Sequence, residues 1–456
     1  MTRRKFRKGT VLLLSMIALA ILSAWAVSIN SVSTLNAQLA ENQRKGDCAR
    51  ASAESGLEIM RYWLDRFSVA GTTYESLVFG ELQTDLTNDL AVNGITNISP
   101  VCDTGTITIP AVTLDSSDGR NFSAFMSQID ADTIRLDVTG SYGSITRTIR
   151  VDYEFGQRAH QVFDYGVATR GPLHLAGNVE LEGVNIAVES SVFIVSENSN
   201  LALEIIGNSS IAGDVSIANP LANVNLQGGK ASIGGETGQA AVDNHVSFGI
   251  EPPEFPVPNP GYFEHYVQNV FDPENIMTEY ENVRIPANSN PIFAGGITLN
   301  GIVYIETPNI VTFAGHTTIT GIIVGNGSVI DSSGANQITF LGTVDSYPVT
   351  ALPAEPQFAG LAQETGTFLM APGFHLGFGG NFSTLNGAIA GNGVEFFGSA
   401  GGIINGSIIN YADEQMTLSG NSDLQFNRSG TVEVPAGFVP EIILEYEPSS
   451  YSEVVL

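Results

Sequence analysis

The chain has 456 residues, of which 14% are charged, and a formal net charge of −28. From residue 171 onward only Lys230, Arg284 and Arg428 are basic, against 29 acidic residues. Such a surface repels phosphate backbones and anionic glycans, which excludes nucleic acid as a partner; it favours solubility and attracts divalent cations only weakly. The 49 glycines, with many Asn and Ser, point to turn-rich β structure, and the low charged fraction points to a folded exterior protein rather than an acidic disordered tail.

The chain opens on a basic cluster, Arg3, Arg4, Lys5, Arg7 and Lys8, followed by Gly9 and an uncharged apolar run from Thr10 to about Ile29. That run is about 20 residues, long enough to span a bilayer core. The basic cluster predicts a cytoplasmic N-terminus with the rest of the chain facing outward. No Pro interrupts residues 10–67, and Gly occurs there only at 46 and 56. A helix over 10–67 is therefore expected, a rod of about 87 Å at roughly 1.5 Å per residue. In its distal part Ala49, Ala53, Gly56, Met60, Leu64 and Phe67 recur at steps of three and four, which places them on one face. The small residues there allow another surface to come close. The same stripe also reads as the core side of a domain.

The order of basic leader, Gly9, apolar span, Glu41-Asn42-Gln43-Arg44 and Ala53-Glu54-Ser55-Gly56-Leu57 resembles the N-terminal region of PilX-type minor pilins of type IV pilus systems, over about residues 3–67. It is also similar to the K-type pseudopilins of type II secretion. The resemblance implies cleavage by a prepilin peptidase between Gly9 and Thr10, storage in the inner membrane, and assembly with other pilins or pseudopilins through the helix. On that reading Leu14, Ala49, Ala53, Glu54, Gly56 and Leu57 belong to the assembly helix. Major pilins of this kind carry Glu where Leu14 stands, and the departure implies a minor, priming or tip subunit. Two other readings of the segment compete. Thr2-Arg3-Arg4-Lys5-Phe6 with Ala24-Trp25-Ala26 matches a twin-arginine export signal cleaved before Val27, and the apolar run alone matches a plain membrane anchor.

Residues 68–160 read as a small α+β unit. Mixed helical signals in its first half give way to alternating strands at Thr106–Ile109, Ile134–Val138 and Ile145–Val151, with a hairpin turn at Ser141–Ser144. The arginines alternate with apolar residues and are expected on the solvent face. Residues 161–456 change texture: short apolar alternations are broken by Gly-Asn and Asn-Gly pairs, as in LHLAGNVELEG and VTFAGHTTITG. Each is too short to bury a core alone, so stacked rungs of a parallel β-helix are expected, with a β-sandwich as the alternative. A Pro-rich insertion, about 251–290 and opening EPPEFPVPNP, and a second at Tyr347–Pro356 should lie outside the rungs. A short helix is expected near Phe263–Phe271. The fold class is thus mostly β, with a long N-terminal helix, a pilin-like α+β unit and a solenoid.

Cys48 and Cys102 are the only cysteines, and outside the cytoplasm two thiols readily pair. Neither has a metal-ligand spacing with a His. His174, His245, His265, His316 and His375 fall in no HExxH-type arrangement, and nucleophile-elbow and phosphate-loop patterns are absent. No catalytic residue, cofactor or metal is therefore expected, and a structural subunit displaying an adhesive or spacer head is the favoured function. A carbohydrate-active β-helix enzyme is the rival, since glycoside hydrolysis needs only paired carboxylates.

Overall fold

The computed structural model describes residues 8–71, 75–92, 98–103, 105–130, 132–197, 199–329, 334–428 and 434–454. The chain forms two compact units: Met1–Gly156 with Ile442–Leu456, and Gln157–Glu441 between them. The expected boundary at 160 is close, but the expected end of the solenoid at 456 is not. The last residues form a strand, Glu441–Val454, that belongs to the first unit's sheet.

In the first unit, helix α1 spans Lys8–Leu64 and is followed by β1 (Ser68–Ala70), α2 (Glu75–Val92), β2 (Val101–Asp103), β3 (Thr106–Asp115), β4 (Arg120–Gln128), β5 (Thr133–Tyr142) and β6 (Ile145–Arg158). The sheet order is β1, the C-terminal strand, β6, β5, β4, β3, β2. Tyr142 pairs with Ile145 across the expected hairpin turn. Arg135 meets Asp152 at 2.8 Å and Arg150 meets Asp137 at 2.7 Å across the β5–β6 pair, so the arginines do occupy the outer face, each with an opposite charge beside it.

The distal half of α1 lies on the other face. Ala49, Ala53, Met60, Leu64 and Phe67 are all buried, against Phe122, Leu136, Val138 and Ile149 of the sheet. Small residues set the approach. A Cβ on Gly56 would lie 2.6 Å from the Phe122 ring, and one on Gly140 of β5 would collide with the helix backbone at Ala49 and Ala53. Helix and sheet touch backbone to backbone there, which no larger side chain permits.

The second unit is a parallel solenoid with three faces, which among the described residues hold 12, 9 and 7 strands. Its first rung is Val167–Thr169, Leu173–Gly177 and Glu180–Gly183, one strand per face. Along the widest face the order is 246–248, 215–217, 192–194, 167–169, 408–410, 388–391, 367–371, 317–326, 297–306, 279–285, 269–270. The chain therefore enters in the middle and coils to one end. The Pro-rich strap then carries it to the other end, and it coils back until its last rung pairs with its first: Ile408 with Val167, Met416 with Leu173, Asp423 with Glu180. In effect the solenoid is circularly permuted, with entry and exit side by side.

Inward side chains stack along the axis as the sequence pattern predicts. Phe293, Phe313, Phe340, Phe378 and Phe396 form a column with ring centroids 4.8 to 5.2 Å apart and ring planes within 16° of parallel. The spacing is that of the rungs themselves, about 4.8 Å. Asn and Gly hold the corners. Asn208 donates to Asn178 and Asn178 to Asn421, both at 2.8 Å, a ladder that runs across the joint between first and last rungs. Only parts of the two interruptions lie outside the rungs: residues 251–268 and 348–356 do, whereas 269–270 and 279–285 of the expected insertion are strands of the widest face and Tyr347 ends a strand paired with 317–326. Phe255, Phe263, Phe358 and Leu361 are buried on the outer side of the widest face against Tyr304, Ile322 and Val324. The helix expected near Phe263–Phe271 is instead a 3-10 turn, Pro260–Tyr266, followed by a strand at Asn269–Val270. Pro260 opens it, and burial of Phe263 at its centre needs only one turn.

Arg428 seals the joint. It lies just beyond the last rung and donates to the carbonyls of Val188 (2.9 Å), Glu189 (2.9 Å) and Phe163 (3.0 Å) around the first. Burial lowers its pKa from the ordinary arginine value, with Asp164 and Glu189 opposing that fall.

Two outcomes follow from this packing. Gly140→Ala should destabilise the first unit by about 2 kcal/mol or more, since a buried overlap with backbone cannot relax by a rotamer change; denaturant melts followed by a Trp63 fluorescence signal read it directly. Arg428→Met should cost about 2 kcal/mol by removing the donor to the Glu189 carbonyl and one of two donors to each of the Val188 and Phe163 carbonyls, and hydrogen exchange should rise first in strands 408–410 and 167–169.

Candidate functional site

Helix α1 is one continuous element with two unlike halves. From Val11 to Ile29 every large apolar side chain is more than half exposed, Leu14 among them at 71%, and none of the most apolar window is buried. Length and composition make the segment sufficient to cross a membrane. Two of its hydroxyls turn back on the helix: Ser15 donates to the Leu12 carbonyl at 2.8 Å and Ser23 to that of Leu19 at 2.7 Å, which satisfies those donors without a partner outside. The apolar seam continues past the span in Val32, Leu35 and Leu39, again more than half exposed. Steps of three and four keep these three on one side of the helix.

Of the two readings of the distal stripe, close approach of another surface and the core side of a domain, the structure bears out the second: Ala49, Ala53, Gly56 and Leu57 are buried against this unit's own sheet. Their small size serves an intramolecular contact. Glu54 is exposed and pairs with Arg50 at 3.0 Å, one of several such pairs along the helix, including Arg44–Glu41 at 2.8 Å. Such exposed pairs are screened by solvent and contribute little. Gly9 and Thr10 are helical in backbone, their side chains lie outside the described residues, and so does the leader over residues 1–7. Cys48 is half-buried with a free thiol, so the expected bond to Cys102 is not made. The reason is register: Cys102 sits opposite Ile107, and thereby level with Met126, whereas α1 near Cys48 packs at the Gly140 end of the strands. The Cys102 side chain itself lies outside the described residues.

In the solenoid the histidines are dispersed, as their sequence positions predict, and most have a carboxylate partner of their own: His174 with Glu204 at 3.0 Å, His245 with Asp214 at 2.8 Å, His316 with Asp345 at 2.8 Å. Where the chain enters and leaves this unit, Glu441 is almost fully buried between Arg158 (2.8 Å) and His160 (3.1 Å). Burial alone would raise the Glu441 pKa, but the hydrogen bonds from His160 and Arg158 outweigh it and the pKa falls below the ordinary value.

One constellation escaped sequence reading. Pairing of the first rung with the last brings Glu180, Glu182 and Asp423 together, with carboxylate oxygens within 4.8 Å of one another on an exposed face. No motif announces it, because its members come from opposite ends of the inserted segment. Partial burial and then the charges of Asp423 and Glu180 push the Glu182 pKa up.

No protein-family model matches the chain, and no curated protein matches it. Among solved structures it is similar to the competence-associated pilin ComZ from Thermus thermophilus, with 12% sequence identity and a TM-score of 0.26 over 90% of this chain and 97% of that one. The likeness is weak and bears no part of the functional argument.

The acidic triple has a measurable consequence. A carboxyl whose pKa is higher folded than unfolded stabilises the fold only while protonated, and that contribution is lost as pH rises through the folded pKa. Glu182→Gln should therefore raise the melting temperature at pH 7 by an amount worth less than ~1 kcal/mol, since the site is exposed and screened. The gain should disappear when melting is repeated below the carboxylate range.

Proposed function

We propose that the chain is a minor pilin-like subunit of a type IV pilus or pseudopilus, a structural protein and not an enzyme. The observation that carries this reading is the two-part helix: one half is fixed in a domain core while the continuous other half is bare and apolar all round. A helix that is apolar on every side needs a lipid or helical surround. Such a rod suits storage in the inner membrane, N-terminus inside, followed by packing beside the rods of other pilins. The resemblance of residues 3–67 to PilX-type minor pilins supports the same role and supplies the processing step, cleavage by a prepilin peptidase between Gly9 and Thr10. Leu14, where bulk subunits of that kind carry Glu, favours a priming or tip position, from which the solenoid would serve as an adhesive or spacer head. The twin-arginine reading is weaker on structural grounds. Cleavage before Val27 would leave Val27, Ile29, Val32, Leu35 and Leu39 exposed on a soluble product.

The deciding measurement is the mature N-terminus of the protein recovered from the inner membrane and from sheared surface filaments of the native host. Thr10 is expected in the filament fraction, with Gly9→Val blocking both processing and filament entry. A mature chain that begins at Val27 and is wholly soluble would falsify the assignment.

A further inference from the structure

The second unit keeps one guanidinium without a partner, at the foot of a cleft. Of the four arginines in this unit, Arg158, Arg284 and Arg428 are bound to carboxylates or carbonyls. Arg170 is the exception: no hydrogen bond or ion pair reaches its side chain among the described residues. It follows the first strand of the first rung, Val167–Thr169. Its backbone N–H donates to the Asn410 carbonyl at 3.0 Å and its carbonyl accepts from the Ser196 N–H at 2.8 Å, which locks it between the turns of the rungs on either side. The guanidinium carbon lies 5.2 Å from the centre of the Phe255 ring and 5.6 Å from that of Tyr411. Both rings are buried, and the Tyr411 hydroxyl donates to the Pro256 carbonyl at 2.6 Å. Cation–π attraction thus fixes a half-buried Arg170 while supplying no acceptor for its N–H groups.

The cleft above it has a volume of about 510 Å³, within the range of roughly 300–1,000 Å³ usual for small-molecule sites. Glu197, Glu254 and Asp413 also line it, all exposed and none paired with Arg170. One cleft therefore holds positive and negative groups that do not meet. Half-buried donors left unmade are costly, so the site favours a ligand that takes them. A lone anion such as phosphate would engage Arg170 but crowd against three carboxylates in a chain of net charge −28. A lone cation would engage the carboxylates, yet Arg170 would repel it and its N–H groups would stay unmet. A neutral sugar could hydrogen-bond to both signs of charge but would neutralise neither. The planar fork of a guanidinium matches a carboxylate through two parallel bonds. A carboxylate joined to an ammonium group therefore meets both demands at once. The remaining wall includes Pro172, Val195 and Pro253, half-buried and apolar, which suits an aliphatic side chain.

We propose that this cleft binds a zwitterionic amino acid with an aliphatic side chain, its carboxylate on Arg170 and its ammonium group among Glu197, Glu254 and Asp413. The proposal stands on the solenoid alone and is independent of the pilin reading. The test uses the full chain in a non-ionic detergent, with L-leucine as the probe. Two analogues are set against it: 4-methylpentanoate, which is leucine without its ammonium group, and isoamylamine, which is leucine without its carboxylate. Saturation-transfer NMR and calorimetry read binding. Leucine should bind saturably, and each analogue should bind about tenfold more weakly or worse. Arg170→Met should weaken leucine by a similar factor, and Arg170→Lys, which keeps the charge but loses the fork, should weaken it too. A triple variant, Glu197→Gln with Glu254→Gln and Asp413→Asn, leaves the aromatic stack untouched and should bring 4-methylpentanoate level with leucine. That readout holds even where an Arg170 variant proves unfolded by circular dichroism. Glu180→Gln, outside the cleft, should change nothing. No saturable binding at millimolar leucine, unchanged affinity in a folded Arg170→Met, or tighter binding of phosphate, isoamylamine or a neutral oligosaccharide than of leucine would overturn the proposal. So would a triple variant that still rejects 4-methylpentanoate.

Discussion

A single helix that packs half its length against one sheet cannot shield the other half. This constraint organises the first unit. Gly56, Gly140 and the alanines bring α1 so close to β5 that backbones meet, which fixes its distal turns in place. The apolar side chains from Val11 to Leu39 then stand clear of the unit's own core, and they gain nothing by folding. Each exposed Leu, Ile or Val forgoes about 1.5–3 kcal/mol relative to full burial. The 15 such large residues between Val11 and Leu39 leave this half of the helix bare and, by length and composition, sufficient to cross a membrane.

The solenoid meets a different constraint. It is an insertion between β6 and the C-terminal strand, which are neighbours in one sheet, so its two ends must come out together. An unpermuted solenoid has its ends at opposite poles, separated by every rung between them. The chain resolves this by starting in the middle and returning to the middle. The joint that results is a non-covalent one between first and last rungs, and it is reinforced where a break would otherwise be easiest. Asn410 donates to Thr169 at 2.9 Å, and Arg428 gathers three carbonyls. Two of the three basic residues beyond position 170 are used in such ties, since Arg284 likewise joins Glu264 of the 3-10 turn to Glu306 of the widest face, at 2.9 and 2.7 Å. In a chain this acidic, these two scarce cations each tie together segments far apart in sequence.

How much of this was legible in the sequence divides along a physical line. Local periodicity revealed the helix, its buried stripe from Ala49 to Phe67, the hairpin at Ser141–Ser144 and the rung-like character of residues after 161, because each is decided by neighbours a few positions away. What it could not reveal is which rung pairs with which. Rungs are built alike, with apolar residues inward and Gly or Asn at corners, so the pattern fits the permuted order and the plain one equally. Everything that depends on that pairing was hidden with it: the Glu180–Glu182–Asp423 group, the role of Arg428, and the return of residues 442–454 to the first sheet. The small residues of α1 read equally as a seam for another rod and as the core side of a domain. A stripe of Ala and Gly states that something comes near and does not say whether it belongs to the same chain.

The corners of the solenoid obey the same division. Rung spacing is fixed by parallel backbone hydrogen bonds and by inward stacks such as the five-phenylalanine column, so inward positions tolerate little change. Turns at the corners carry no such load, and their length varies from rung to rung at small entropic cost. Corner turns therefore change in length and lining without disturbing the core beneath them. Outward residues at the first positions of the following strands, such as Gln337 and His375, are held in register by the ladder whatever the turns do. Recognition is in this way separated from stability: the core sets where polar groups stand, and the turns decide what can reach them.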